Sequence, residues 1–378
     1  MLKAPLDGIR VLELGSLIAG PFCAKTLGDF GAEVIKIEPP GEGDALRKWR
    51  RMRNGTSLWW HVQSRNKKSV TCDLRRAEGQ EIVRRLARRS QIVIENFRPG
   101  ALEKWQLGWE TLSRDNPKLV LVRISGYGQT GPYRERPGFA AIAEGVGGMR
   151  YITGFPDRPP ARSNLSLGDT IAALHGVIGA LLALHHVTSG GAGQVIDVAL
   201  YESVFNCMES LLPEFDAHGY VRERTGSALP GIAPSNLYPC SDGSYVLIAG
   251  NVDSLYRRLM TAIGREDLRD DPALARNDGR AAQMARIDAA ISAWTSQKTQ
   301  PEVLAAMEQH YAARRMIETI TANDGEPLKV PGVVPKLSAT PGAIRTKAPK
   351  LGEHTEDVLK GIGYSETQIK DLRRANVI

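Results

Sequence analysis

The regular alternation of short apolar strands with helices is the feature that most constrains how this chain can fold. Helical patterns at residues 19–30 and 78–89 separate the first of these strands. Such alternation is typical of a parallel sheet covered by helices on both faces. We therefore predict an α/β fold with a doubly wound sheet. The predicted strands are residues 9–14, 32–38, 69–74, 91–97, 119–125 and 194–200.

Ligands of such sheets bind in the loops that follow the carboxyl ends of the strands. Here these loops are Gly15–Gly20, Asn96–Ala101 and Gly126–Gly131. Gly15 and Gly20 have the spacing of a phosphate-binding loop, but Pro21 stands where that motif requires lysine. The Gly41–Gly43 turn lacks the third glycine of a dinucleotide fingerprint, so both nucleotide motifs are excluded.

The length of 378 residues suggests about two domains. The composition changes near residue 214, and the stretch 225–238 is rich in Gly, Pro and Ser, which is typical of a loop. A strand at 245–249 and helices at 254–263, 281–295 and 301–309 follow. We predict a large domain over residues 1–213, a linker and small domain over 214–330, and a C-terminal segment over 331–378.

A long apolar run follows Asp169 and predicts a helix that begins near this residue. The run is rich in Ala and Gly, which fits a close-packed buried helix better than a lipid-facing one. Aspartate at such a position is a good helix cap. A helix N-terminus also keeps a carboxylate ionised and offers N–H groups to a developing oxyanion, as a nucleophile requires. From these residues alone, both interpretations of Asp169 stay open.

The net charge of +7 suits an anionic ligand, but no long Lys/Arg tract indicates nucleic acid. The basic residues of 47–60 and 65–68 are interpreted either as a solvated surface or as holders of a phosphate-rich ligand. Four cysteines lie far apart without metal-ligand spacing, so we expect reduced thiols, no metal site and a cytoplasmic protein. The N-terminus lacks the apolar segment of a signal peptide.

Several stretches of the chain carry motifs in a specific order. They are Leu6–Glu13, Ala19–Pro21, Gly28–Glu38, Asn66–Ser69, Glu95–Gly100, Gly126–Pro132, Gly168–Asp169 and Leu351–Thr355. These motifs and their order resemble those of the family III CoA-transferases, which include formyl-CoA transferase, carnitine CoA-transferase and succinyl-CoA:glutarate CoA-transferase. The likeness extends over nearly the whole chain.

This resemblance implies a Rossmann-like large domain that carries both termini, a smaller α+β domain, and a homodimer of two interlocked chains. It also favours Asp169 as the catalytic nucleophile over the cap. The implied reaction moves CoA from an acyl-CoA, here preferably succinyl-CoA, to a small carboxylic acid, here preferably a dicarboxylate. It passes through a mixed anhydride and an aspartyl-CoA thioester, with no prosthetic group.

The resemblance also implies a CoA site. Ile18 and Ala19 would lie along the pantetheine, residues 72–75 near the adenosine, and Lys104 near a phosphate. Phe139 and Ala140 would lie by the active centre, and a mobile substrate loop would include Gly231, Ile232 and Ala233. The implied CoA-binding residues are Ile18, Ala19, Cys72, Asp73, Leu74, Arg75, Asn96, Phe97, Arg98, Lys104 and Phe139.

Three departures from the family pattern bear on function. Ile18 replaces a glutamine of formyl-CoA transferase, which argues against formate and oxalate. The tetraglycine loop is reduced to Pro230–Pro234, and a stretch that relatives carry between Gln309 and Tyr311 is missing.

Three rival functions remain. An acyl-CoA racemase of the same superfamily needs a second acid–base pair where this chain has Phe139 and Ala140, which cannot transfer protons. A catalytically silent CoA-binding protein would not need Asp169. A nucleic-acid binder built on residues 47–68 would require salt-dependent affinity, but no recognised motif accompanies the charge.

Overall fold

The computed structural model describes residues 3–304 and 316–378, and the predicted deletion beside Gln309 and Tyr311 lies outside them. The described residues form two compact units. The first draws on Met1–Met149, Asn164–Ser210 and Arg315–Ile378, and the second on Arg150–Ser163 and Leu211–Arg314. The predicted domain boundaries at residues 213 and 330 stay a prediction.

A six-stranded, wholly parallel sheet forms the centre of the first unit. Its strand order is β5-β2-β1-β6-β7-β8. The strands that follow β1 in sequence and those that follow β6 therefore extend the sheet in opposite directions from the β1/β6 boundary. This confirms the predicted α/β fold with a parallel sheet. Its strands are β1 Arg10–Glu13, β2 Glu33–Glu38, β5 Lys67–Thr71, β6 Ile92–Glu95, β7 Val120–Ser125 and β8 Gln194–Ala199; two short strands, β3 Met52–Arg53 and β4 Thr56–Ser57, form a separate hairpin.

Alternate side chains of the strands enter two apolar cores on opposite faces of the sheet. Val11 and Val34 belong to one core, whereas Leu12 and Ile35 belong to the other. Because both faces are covered, apolar residues of the strands point to both sides of the sheet, and the buried charged residues among them, such as Lys36 and Lys67, are ion-paired. Helices α1 Ala19–Asp29, α6 Ala140–Val146, α8 Leu167–Thr188 and α9 Leu200–Phe205 contribute to the first core, and α3 Ala77–Ala87, α4 Ala101–Lys104 and α5 Trp109–Asp115 to the second.

The C-terminal residues also cover the second face of the sheet. Leu359, Ile369 and Val377 join that core. Leu359 and Ile369 lie on two helices, and Val377 follows the second of them. Both helices come after the hairpin of β11 Ile317–Thr321 and β12 Pro327–Pro331, which the sequence pattern did not predict. These helices are α16 Thr355–Gly361 and α17 Glu366–Arg374; the remaining helices of the first unit are α2 Leu58–Gln63 and α7 Met149–Ile152, the latter continuing into the second unit.

The second unit contains a two-stranded hairpin, β9 Ser235–Pro239 and β10 Tyr245–Ala249, packed with helices around its own core. The prediction of β10 is confirmed. The sequence pattern predicts a loop where β9 lies, because the preceding run is rich in Gly and Pro. Tyr238 is nevertheless buried and belongs to this strand. The helices of this unit are α10 Leu211–His218, α11 Asp253–Ala262, α12 Glu266–Arg269, α13 Asn277–Ala282, α14 Met284–Thr295 and α15 Gln300–Leu304.

Part of the basic stretch lies inside the first unit. Arg65 pairs with Asp29 at 2.7 Å, Arg47 with Glu38 at 2.7 Å, and Lys67 with Glu13 at 2.7 Å. The side chains of Arg65 and Lys67 are 2% and 0% exposed. The interpretation as a solvated surface is therefore wrong for these residues. Strand β5 also begins two residues before the predicted strand, because Lys67 has a buried partner.

Helix α8 begins at Leu167, with Ser166 as its N-cap. By length and composition alone it could cross a membrane, a test that core helices also pass. One face carries Ala172, Ala180 and Ala183 into the core of the first unit, while Ile178 and Leu182 are 54% and 66% exposed. The helix is therefore buried along only one side in the single chain.

Candidate active site

The loops after β1 and β6 meet where the strand order of the sheet changes direction. Ligands of such sheets bind at this position. Asn96 joins these loops. Its Oδ1 accepts a hydrogen bond from the Ser16 backbone N–H at 2.8 Å, and its Nδ2 donates to the Ser16 carbonyl at 2.9 Å. A Cβ on Gly15 would lie 2.5 Å from Asn96 Oδ1, so this approach requires glycine.

Leu17 follows in a backbone conformation that bulky residues rarely adopt, with φ of 64°. The carboxylate of Asp44 stabilises this turn by accepting hydrogen bonds from the Leu17 N–H at 3.1 and 3.2 Å. Asp44 also accepts from the Leu46 N–H at 2.9 Å. A single buried side chain thus fixes two segments beside the strand ends.

A cluster of buried charged side chains lies next to this turn and contacts it through Asp44 and the Gly15 carbonyl oxygen. Lys36 Nζ lies 2.8 Å from Glu13, 2.8 Å from Asp44 and 2.9 Å from the Gly15 carbonyl oxygen. Burial disfavours the charge of Lys36, but the Asp44 and Glu13 carboxylates outweigh that effect and raise its pKa. Burial lowers the pKa of Lys67 to about 8, although Glu13 opposes this shift. Two ammonium groups therefore share two carboxylates in a buried cluster.

A cleft of about 430 Å³ opens beside the strand ends, a volume suited to a small-molecule ligand. Its walls include residues of the β1 loop, of the turn 39–45 and of the loop after β5. Among the predicted CoA-binding residues, those that line it are Cys72, Asp73, Leu74, Arg75 and Phe97.

A local ion pair contributes to the polar lining of the cleft. Arg75 Nε lies 2.9 Å from Asp73 Oδ1, and the Arg75 side chain is 78% exposed. Hydrogen bonding to Arg75 lowers the pKa of Asp73, so the pair is ionised at neutral pH. Burial raises the pKa of Cys72 to about 12, so this thiol is not a nucleophile.

The other predicted CoA-binding residues do not line this cleft. Ile18 and Ala19 are buried at the start of α1, Arg98 and Lys104 are exposed, and Phe139 is 66% exposed. Leu17 and Trp105 line the cleft and were missed in the sequence. Trp105 packs edge-on against Phe97 with a centroid distance of 5.1 Å, and its position next to Lys104 was the available signal.

Asp169 lies in the first turn of α8 and is half-buried. Since α8 connects the parallel strands β7 and β8, its N-terminus lies at the carboxyl edge of the sheet. The positive end of the helix dipole there favours an ionised carboxylate. Ser166 occupies the cap position, so the alternative interpretation of Asp169 as the N-cap is wrong.

The residue before Asp169 packs tightly against α6. A Cβ on Gly168 would lie 3.1 Å from the Ala140 carbonyl oxygen. The Gly168 N–H donates to the Glu144 carboxylate at 3.4 Å, and Glu144 is 1% exposed. Glu144 was missed in the sequence, although it lies one helical turn after Ala140. The structure thus brings Ala140 and an unexpected carboxylate to the N-terminus of α8.

The predicted substrate loop of the second unit is held by two side chains of α13. Asn277 donates to the Gly231 carbonyl at 2.8 Å and accepts from the Ala233 N–H at 3.3 Å. The buried Arg280 donates to the Ala233 carbonyl at 3.1 Å and to Asp253 at 2.8 Å. These bonds join both sides of Ile232 to one helix, so the loop is anchored in this structure.

No cluster of His, Cys, Asp or Glu suited to a metal ion occurs within residues 3–304 and 316–378. The described residues of the first unit thus present a carboxylate in the first turn of a helix, and a cleft whose lining includes the Asp73–Arg75 ion pair.

Comparisons with known proteins place this arrangement in a family. A family model described as CoA-transferase family III matches residues 6–311 and 304–355. The chain is 46% identical to the succinyl-CoA–D-citramalate CoA-transferase of Chloroflexus aurantiacus, across 99% of this chain and 98% of that protein. It is 45% identical to the beta subunit of the succinyl-CoA–L-malate CoA-transferase of the same organism, with the same coverage of 99% and 98%.

A solved structure agrees with these sequence matches. The crystal structure of a CaiB/BaiF family protein from Brucella suis superimposes with a TM-score of 0.81 at 34% identity. The superposition covers 96% of this chain and 100% of that one. The chain is therefore a member of CoA-transferase family III.

Proposed function

We propose that this enzyme transfers CoA from succinyl-CoA to a free dicarboxylic acid, with Asp169 as the nucleophile. The position of Asp169 in the first turn of α8, at the carboxyl edge of the sheet, carries this proposal. Two relatives that are 46% and 45% identical are named for succinyl-CoA as donor and for D-citramalate or L-malate as acceptor. A hydroxydicarboxylate is therefore the preferred acceptor.

The first half-reaction loads CoA onto the enzyme. The Asp169 carboxylate attacks the thioester carbonyl of succinyl-CoA and the C–S bond breaks. CoA departs as a thiolate, and the succinyl group is joined to Asp169 in a mixed anhydride. The thiolate then attacks the aspartyl carbonyl of this anhydride. Succinate departs, and Asp169 carries CoA as a thioester.

The second half-reaction reverses these steps with a different acid. The acceptor carboxylate attacks the aspartyl thioester and releases CoA thiolate, which then attacks the acceptor's own carbonyl. Asp169 regains its carboxylate and the new acyl-CoA leaves. Each step exchanges one activated acyl group for another, so ATP is not required. Backbone N–H groups at the α8 N-terminus would stabilise the oxyanions.

We assign CoA to the cleft beside the strand ends. Leu74 and Phe97 offer apolar surface for the adenine and pantetheine, and the exposed guanidinium of Arg75 offers a phosphate contact. The anchored loop at Gly231–Ala233 is assigned to the acid substrate, as the family resemblance implies.

Mass-spectrometric CoA exchange tests the proposal. Succinyl-CoA is incubated with D-citramalate, L-malate, glutarate, itaconate, mesaconate, oxalate or formate, and each new acyl-CoA is quantified. We expect product from a dicarboxylate with the wild type and with the exposed-site control Asp7→Asn, and none with Asp169→Asn. An ¹⁸O-labelled acceptor should also leave label in the peptide that contains Asp169. Full activity of Asp169→Asn, or no exchange with any acid while CoA still binds, would refute the proposal.

We further propose that two chains form an interlocked homodimer in the cytoplasm, without membrane attachment. Support comes from apolar side chains that the single chain leaves exposed in the first unit. Monomeric soluble proteins rarely expose a large contiguous apolar patch. The exposed apolar residues of the first unit that support the dimer are Ile142 at 47%, Val146 at 54%, Ile178 at 54%, Leu182 at 66% and Phe205 at 49% exposure.

Light scattering after size exclusion tests the dimer, which should have twice the chain mass of 41.3 kDa. Interlocked chains should also fail to exchange between tagged and untagged dimers unless they unfold. A monomer at micromolar concentration would refute the dimer, and rapid subunit exchange would refute the interlocking.

A further inference from the structure

A second cleft in the first unit has no part in the proposed reaction. Its volume is about 370 Å³. It lies between the β3–β4 hairpin and the turn of the β11–β12 hairpin, with Lys350 at its edge. None of the residues that line it lines the cleft assigned to CoA. The two clefts are therefore separate candidate sites.

Positive charge predominates in this second cleft. Arg53 lies 2.9 Å from Asp324, and Arg47 lies 2.7 Å from the buried Glu38. Lys350 is exposed, and its ammonium group has no carboxylate partner among the described residues. The local charge suits an anion that approaches Lys350 and the edge of Arg53.

Three residues of this cleft have a buried side-chain atom without a hydrogen-bond partner among the described residues; Arg53 Nε is nevertheless ion-paired with Asp324, which leaves two such atoms without any partner there. One is Nδ1 of His61, a residue that is only 2% exposed, and the other is Oδ1 of Asn323. Burial and the nearby Arg53 lower the pKa of His61, so its ring is neutral at pH 7 and carries one N–H. Buried polar atoms nearly always have partners, and leaving two without them is unfavourable.

We infer that this cleft binds a small oxyanion that also carries a hydroxyl group. The charged oxygens of the ligand face Lys350 and Arg53. Its hydroxyl group can donate a hydrogen bond to Asn323 Oδ1, and an oxygen of the ligand can accept one from His61. Hydrogen phosphate and the 2-hydroxy acids share this chemistry.

Calorimetric titration of the full-length protein tests the inference, with inorganic phosphate as the first probe. Hydrogen phosphate retains a hydroxyl at neutral pH, whereas sulfate has none. We expect one phosphate per chain, and a loss of affinity of about tenfold in His61→Phe and in Lys350→Gln, typical of a hydrogen bond to a charged group. Lys350→Gln alters only an exposed side chain, so it remains informative if His61→Phe fails to fold.

Two controls separate this cleft from its surroundings. Lys347→Gln changes a nearby exposed lysine that does not line the cleft, and Arg75→Ala changes the CoA cleft. Both should bind phosphate as the wild type does. Absence of saturable binding, or unchanged affinity in Lys350→Gln, would overturn the inference. Loss of binding in Arg75→Ala would instead assign the phosphate to the CoA cleft and would also overturn it.

A matched pair of organic acids identifies the source of the anion. L-Malate and succinate differ only by the hydroxyl, and the relevant signal is the binding that Lys350→Gln removes. Tighter binding of malate than of phosphate assigns a hydroxy acid, and the reverse assigns a phosphate. Equal affinity for malate and succinate, together with equal affinity for phosphate and sulfate, would overturn the predicted contact with Asn323.

Discussion

Asp44→Asn tests the idea that the buried charge cluster supports the CoA site. The side chains of Asp44 and Lys36 are each 1% exposed and lie 2.8 Å apart. In the variant, Lys36 and Lys67 are left to share the single carboxylate of Glu13. One buried positive charge then lacks a counterion.

Removing one partner of a buried ion pair destabilises a protein by about 3–5 kcal/mol. We expect the lower end, about 3 kcal/mol, because Lys36 keeps its contacts with Glu13 and the Gly15 carbonyl oxygen. For a unit of this size that corresponds to a fall in Tm of roughly 6–12 °C. The Leu17 turn also loses a charged acceptor, so KM for the acyl-CoA should rise.

Differential scanning calorimetry and steady-state kinetics measure both effects, with Asp7→Asn as the exposed control. The double variant Lys36→Met/Asp44→Asn restores charge balance, since Lys67 then faces Glu13 alone. It should recover part of the lost Tm. If Asp44→Asn unfolds within about 2 °C of the wild type, or if the double variant is less stable than the single one, the reasoning about the cluster is refuted.

Three further predictions concern the site and its surroundings. Gly168→Ala places a Cβ 3.1 Å from the Ala140 carbonyl oxygen, so the contact between α6 and the first turn of α8 must give by a few tenths of an ångström. We expect kcat to fall about tenfold while folding persists, because Asp169 adjoins this contact; an unchanged kcat would contradict the idea that this packing positions Asp169. Asn277→Ala removes both bonds to the Gly231–Ala233 loop, so amide exchange there should quicken and KM for the acid should rise by about tenfold; wild-type exchange rates would show that this anchor is dispensable. Burial raises the pKa of Glu95 from 4.5 to about 7, so the folded protein holds a proton that the unfolded chain releases, and the free energy of unfolding should decrease as pH rises through this interval. Urea titrations should show that Glu95→Gln lacks this decrease, and parallel pH profiles of the two proteins would contradict it.

The sequence was sufficient for the central sheet of the first unit. The strand at residues 119–125 begins with four consecutive apolar residues, a pattern typical of a sheet buried on both faces. The order of strands and helices then restricts the sheet to a few parallel topologies. Asp169 could be singled out because it directly precedes a long apolar helix, and the family resemblance decided between its two interpretations.

The charge cluster could not be predicted, because its members are far apart in sequence. Lys36 and Lys67 lie on strands covered on both faces, where an unpaired charge is unfavourable, and each has Glu13 or Asp44 within 3 Å. Glu144 likewise reaches Gly168 only through the packing of α6 on α8. Such pairings depend on three-dimensional register, which no local pattern encodes.

Apolar periodicity and helix position along the chain thus determined the fold class and the candidate nucleophile, because burial of apolar surface is a property that each segment carries by itself. The tertiary structure alone decided which charges are buried, which predicted CoA-binding residues line the cleft, and that Asn277 and Arg280 hold the Gly231–Ala233 loop. These outcomes depend on distances between segments, and electrostatic and hydrogen-bond energies change steeply over a few ångströms.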